Sequence, residues 1–118
     1  VDDEEIIREN LVDYFEDEGI EAVGYENGES ALKELQKGYY HYAIVDLRLP
    51  GMDGNHFVKK AKEIDEELKF IIHTGSSDYM LPGDLKELGM SDRDVFFKPI
   101  IDMGILLNYI RKKTSDFN

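Results

Sequence analysis

Two short apolar runs constrain this chain more than any other feature, because each ends on a polar residue and each lies between segments of helical period. Tyr42-Ala43-Ile44-Val45 runs into Asp46, and residues 68–73, LKFIIH, run into Thr74. Runs of this length, mostly apolar and rich in β-branching, predict buried strands. Around them the apolar residues recur three and four apart. They do so at Ile6, Ile7, Leu11, Tyr14 and Phe15 over residues 4–18, with Asp3 placed to cap the start and Gly19 to stop the helix. The same spacing holds for Ala31, Leu32 and Leu35 between the Asn27-Gly28 turn and Gly38, and for Phe57, Val58, Ala61 and Ile64 over residues 55–66. A last amphipathic stretch covers 102–113 with Ile105, Leu106, Tyr109 and Ile110. Residues 20–25 and 94–97 read as two further short strands. Pro82-Gly83 interrupts any helix begun near Ser77, so only 84–88 is predicted helical there. Strands alternating with helices predict an α/β fold with a doubly wound parallel sheet and helices on both faces.

One element is missing from that pattern. The chain opens Val1-Asp2-Asp3, so the strand that should feed the first helix retains only Val1. Such a sheet normally starts with a strand at its centre, and the expectation is that the natural beginning is absent or that a partner supplies the strand. With 118 residues the chain has length for one domain, 1–118, and one core. No effector domain follows Asn118, which reads as a stand-alone module or a fragment of a larger protein.

Charge narrows the function classes. Twenty-six acidic against 14 basic residues give a net charge of −12. That field repels phosphate backbones, which argues against direct nucleic-acid binding, and it favours divalent cations and basic partner surfaces. There is no cysteine, hence no disulfide framework, thiolate metal site or thiol nucleophile. No apolar run approaches the roughly 18 residues of a membrane span and no signal-peptide pattern is present. A cytoplasmic location without membrane contact is the expectation.

Asp46 is followed by a loop carrying Pro50, Gly51 and Gly54, which end the strand and suit the tight entry into a helix. Alone, Asp46 reads as an ordinary cap. Together with the other polar residues at the strand ends it reads differently. Asp2, Asp3, Asp46, Thr74 and Lys98 should all line the carboxyl edge of a parallel sheet, where open α/β sheets bind ligands. Three carboxylates there repel one another unless a cation joins them, and Mg²⁺ suits an oxygen site that keeps waters and takes a phosphate oxygen. A nucleophilic carboxylate, a metal, a hydroxyl and an ammonium describe phosphoryl transfer.

These residues carry a resemblance. Val1-Asp2-Asp3, Asp46 with Pro50, Met52, Asp53 and Gly54, Thr74-Gly75 and Lys98-Pro99 together resemble the receiver domains of two-component response regulators, over the whole chain except the first strand. The resemblance implies a flavodoxin-like, five-stranded sheet of order 2-1-3-4-5. It implies that Asp46 accepts a phosphoryl group from a phosphohistidine, with Mg²⁺ held by Asp3, Asp46 and the main-chain carbonyl of Arg48, and by Asp2 largely through water. Thr74 and Lys98 would contact the phosphoryl oxygens, and Lys98-Pro99 would be cis. The implied partners are a sensor histidine kinase or phosphotransfer protein, an output domain or downstream protein, and in some receivers a second copy. Such a domain is not an enzyme, although it assists its own phosphorylation and autodephosphorylation. Arg48 and Ser76 hold the positions that flank the attacking water in this family. Neither is a carboxylate or amide, and Arg48 can shield the phosphoryl group, which predicts slow hydrolysis.

Two departures stand out. Val95 occupies the place where the family usually carries Tyr or Phe, and Phe96 or Phe97 would substitute only if the strand shifted register. Pro82 breaks the fourth helix region. Among rivals, a phosphatase of the haloacid-dehalogenase type needs a second Asp two residues after the nucleophile, where this chain has Arg48. A receiver-like interaction module that is never phosphorylated has no reason to keep the full set. His41, His56 and His73 lack metal-like spacing, and His73 is read as structural.

Overall fold

The computed structural model describes residues 1–100 and 102–114. Five helices, α1 (Glu5–Asp17), α2 (Gly28–Leu35), α3 (Gly54–Ile64), α4 (Gly83–Glu87) and α5 (Met103–Thr114), alternate with three strands, β1 (Tyr42–Asp46), β2 (Lys69–Thr74) and β3 (Val95–Phe97). The strands are parallel in the order β1-β2-β3, with Asp46 opposite His73 and Thr74 opposite Phe97. Both faces of the sheet are covered, which is why its strands are apolar throughout rather than alternating. Val45, Phe70 and Ile72 pack on one face with Ala31, Leu35, Phe57, Val58, Ala61 and Leu85 from α2, α3 and α4. Ile44, Ile71 and Phe96 pack on the other with Phe15 of α1 and Leu106, Leu107 and Ile110 of α5. Among the described residues no helix is long and apolar enough to cross a membrane.

Two helix starts carry side-chain caps, at Asn27 beside the predicted turn and at Asp53. Asn27 Oδ1 accepts from the Ser30 amide and Asp53 Oδ1 from the His56 amide, each at 2.8 Å. The start of α1 differs from expectation. Its N-cap residue is Glu4, which makes no side-chain cap, and Asp2 rather than Asp3 turns back, accepting from the Glu4 amide at 2.9 Å. Pro82 fixes the entry to α4, which is only five residues long.

Residues 20–25 do not form a strand. A strand exists only through a neighbour's backbone groups, and among the described residues only Val1 and Asp2 lie beside this segment. The Asp2 amide donates to Tyr25 at 3.0 Å, the Asp46 amide donates to Val1 at 2.9 Å, and the Val1 amine donates to Ile44 at 2.6 Å. Val1-Asp2 therefore stands between residues 20–25 and β1, as one rung of a central strand. The spatial order is that of the expected 2-1-3-4-5 sheet, with its first two members unladdered. Beside Val1 lies an apolar cavity of about 180 Å³, walled by Phe15, Ile20, Ala22, Tyr25, Ala43 and Ile44.

Candidate functional site

The end of β1 delivers Asp46 to the carboxyl edge of the sheet, and the loop that follows is held against it. A Cβ on Gly54 would lie 2.4 Å from the Asp46 carbonyl oxygen and 2.9 Å from Leu47 Cα. Only glycine lets α3 begin this close to the strand end, with its amide donating to the Leu47 carbonyl at 2.8 Å. Gly51, at φ +74°, makes the turn, and Glu29 of α2 accepts from the Met52 amide at 3.1 Å to fix the loop.

Four of the predicted residues meet there. Asp2, Asp46 and Thr74 are buried, with 3%, 6% and 1% of their surface exposed. The Lys98 ammonium donates to Asp46 Oδ2 at 3.2 Å and lies 3.1 Å from Asp2 Oδ2. The latter is a charge contact without hydrogen-bond alignment, so Asp2 Oδ2 is a buried oxygen lacking a hydrogen bond. The Lys98 amide donates to the Thr74 carbonyl at 2.7 Å, joining the ends of β2 and β3, and the Lys98-Pro99 peptide is cis. Thr74 Oγ1 accepts from the Ser76 amide at 3.0 Å. Arg48 is exposed and Ser76 half-buried. Asp3 is exposed and stands outside the carboxylate group that closes on Lys98.

That group includes a residue which the sequence pattern did not single out. Glu4 Oε2 accepts from Lys98 Nζ at 2.9 Å, and carboxylate oxygens of Asp2, Glu4 and Asp46 lie within 4.8 Å of one another. The available signal was the acidic run Asp2-Asp3-Glu4-Glu5 ahead of α1. Its fourth member is first-turn charge, but its third faces the site.

The electrostatics follow from burial and crowding. Burial raises the Asp46 carboxyl above the usual range, and the Asp2 charge raises it further, against the opposing pull of Lys98 and the Arg48 amide. Burial would lower the Lys98 ammonium, but Glu4, Asp2 and Asp46 outweigh it and hold the group firmly protonated. His73, beside Asp46 in register, is pushed down to about 4 by burial and then by the Lys98 charge. Three acids sharing one ammonium, one of them with a buried oxygen short of a hydrogen bond, form a donor set that fits a hard divalent cation.

The register also settles where the aromatic residues of β3 lie. Val95 stands opposite Ile72 and Phe97 opposite Thr74. Phe97 therefore already shares a face with Thr74, 45% exposed, without the register shift expected to be necessary.

Residues 1–111 match the response regulator receiver domain family. The chain is a member of that family. It is 36% identical over 89 residues to sporulation initiation phosphotransferase F of Bacillus subtilis, covering 75% of this chain and 72% of that protein. It is 32% identical over 111 residues to the response regulator receiver protein CpdR of Brucella abortus, covering 94% and 90% respectively. Its fold is similar to that of the response regulator protein TrrA from Thermotoga maritima, solved in complex with Mg²⁺ and BeF, with a TM-score of 0.77 and 31% identity over 94% of this chain and 92% of that one. The receiver is thus a flavodoxin-like phosphoacceptor switch of two-component signalling, as the strand-end residues implied.

Proposed function

We propose that Asp46 is the residue phosphorylated and that Lys98 and Thr74 bind the transferred group. One observation carries this reading. Asp46 is a buried carboxylate at a strand end, 3.2 Å from the half-buried Lys98 ammonium that it shares with Asp2. In the transfer, an Asp46 oxygen attacks phosphorus and the bond to the donor imidazole nitrogen breaks. The electron pair stays on that nitrogen, which takes up a proton from solvent. The Lys98 ammonium and the Thr74 hydroxyl bind the charge on the phosphoryl oxygens. Of the Mg²⁺ ligands implied by the resemblance, Asp46 and Asp2 already stand in the cluster, whereas Asp3 would have to turn inward from its exposed position to join Asp46 and the Arg48 carbonyl, with Asp2 acting through water. When bound, the ion neutralises the acids and polarises the phosphoryl oxygens. The donor is the phosphohistidine of a sensor kinase or phosphotransfer protein, and the phosphorylated receiver acts on an output domain or downstream protein. It assists its own dephosphorylation, slowed by Arg48 and Ser76 at the water's approach.

The read-out runs through the segment after β2. Thr74 Oγ1 holds the Ser76 amide, the Ser76 carbonyl accepts from the Tyr79 amide at 3.1 Å, and the Tyr79 hydroxyl donates to Asn55 at 2.8 Å. Recruitment of Thr74 by a phosphoryl group disturbs the first of these bonds and thereby the turn that seats Tyr79. Amide spectra with and without beryllofluoride in saturating Mg²⁺ test both parts. The expected result is shifts at Asp46, Thr74 and residues 76–82, abolished by Asp46→Asn. No response in the unmodified protein refutes the site, and shifts confined to Val95–Phe97 refute the read-out route.

A further inference from the structure

Glu4, so far only one of the three acids of the cluster, makes the shortest contact to Lys98, 2.9 Å against 3.1 Å for Asp2 and 3.2 Å for Asp46. Its side chain is 57% exposed, whereas those of Asp2 and Asp46 are 4% and 8% exposed. Its backbone is tied to the same cluster, because the Glu4 amide donates to the other oxygen of Asp2 at 2.9 Å. The carboxylate thus leans over the ammonium from the solvent side, while Asp2 and Asp46 hold it from within.

Resting on the reading of Asp46 as phosphoacceptor, we propose that Glu4 is a positioning residue that keeps Lys98 at the mouth of the site and competes with the phosphoryl oxygens for it. An ammonium has three N–H donors, and here three carboxylates surround it. To bind a phosphoryl group on Asp46, Lys98 must give up one of them. Asp2 is the costly partner to release, because water cannot reach its buried oxygens. Glu4 is the cheap one, because its exposed oxygens are rehydrated as it lets go. The exchange therefore runs against Glu4, which favours the resting state over the phosphorylated one. A partly exposed ion pair of this kind is worth roughly fivefold in an equilibrium.

The test is a beryllofluoride titration in saturating Mg²⁺, followed by amide shifts, on the unmodified protein, Glu4→Gln, Lys98→Met and the double variant. Glu4→Gln should tighten binding roughly fivefold when Lys98 is present and leave it within about twofold when Lys98 is replaced. An equal gain in both backgrounds means that Glu4 acts only through the general field, which overturns the proposal. Unchanged or weaker binding by Glu4→Gln also overturns it. If the unmodified protein gives no response, the phosphoacceptor reading itself fails and takes this one with it, so the two failures are told apart. Should Lys98→Met not fold, the Lys98 ammonium resonance decides. Faster hydrogen exchange in Glu4→Gln than in the unmodified protein supports the proposal, and an unchanged rate overturns it.

Discussion

His73 is the residue whose replacement should change this receiver's stability most informatively. It lies in the middle of β2's neighbours, opposite Asp46 on one side and Phe96 on the other, with 4% of its surface exposed. Neither ring nitrogen has a hydrogen-bond partner. Burial, followed by the Lys98 charge, lowers its pKa from 6.5 to about 4, while Asp2 and Glu4 pull weakly the other way. Between those two values the unfolded chain binds a proton that the folded chain refuses, so stability rises with pH across the window and is lost as pH falls. Worked through the two pKa values, the loss between about pH 7.5 and pH 5 is about 2 kcal/mol, and it approaches about 3 kcal/mol below pH 4. His73→Leu removes that dependence. It also removes two unpaired buried nitrogens, which at neutral pH should stabilise by about 1 kcal/mol or more. Urea midpoints of both proteins at several pH values measure this. Other groups titrate in the same range. They are common to both proteins, so the difference between the two curves isolates His73. Parallel curves with no pH-dependent gap would refute the reasoning.

Other outcomes follow from the same geometry. Gly54→Ala should cost about 3 kcal/mol or more in urea unfolding, because its Cβ would meet two backbone atoms inside 3 Å; a loss under about 0.5 kcal/mol would show that the loop yields freely. Arg48→Asn and Ser76→Glu should each hasten loss of the Asp46 phosphoryl group in Mg²⁺, read from a time course; equal or slower decay would show that neither position governs the water.

Much of this site was legible because its chemistry is tied to strand ends, and strand ends are visible in sequence. Asp46 and Thr74 each terminate an apolar run, and Lys98 follows the last one, so a parallel sheet must bring them to one edge. Residues 20–25 take their expected place beside the sheet but form no ladder. Their apolar pattern suits a strand, but a ladder depends on a neighbour's backbone, and among the described residues only Val1-Asp2 lies beside them. Asp2 rather than Asp3 turns back to the Glu4 amide because the chain is held between Tyr25 and Asp46, which aims Asp2 inward. Glu4 was invisible because an acid at a helix start looks like first-turn charge. Its part depends on a lysine 94 residues away, which no local pattern reports.

The same arrangement explains how the chain's acidity and its switching are connected. Asp2, Glu4 and Asp46 carry three negative charges around one positive charge, so the resting cluster is short of cationic charge by two. Burial first and the Asp2 charge second raise the Asp46 carboxyl, against the opposing pull of Lys98. The deficit equals the charge of one divalent ion, and it is held at the only edge of the sheet where β1, β2 and β3 all end. Burying Asp2 and Asp46 makes the deficit expensive to leave to water, while exposing Glu4 leaves one ligand free to let go. A site built this way would gain most when a dication and an anionic group arrived together. On the proposed reading, phosphorylation of Asp46 would draw Lys98 and Thr74 toward one point, and because Thr74 also holds the turn leading to Tyr79, the charge rearrangement would reach the surface through that hydrogen-bonded loop.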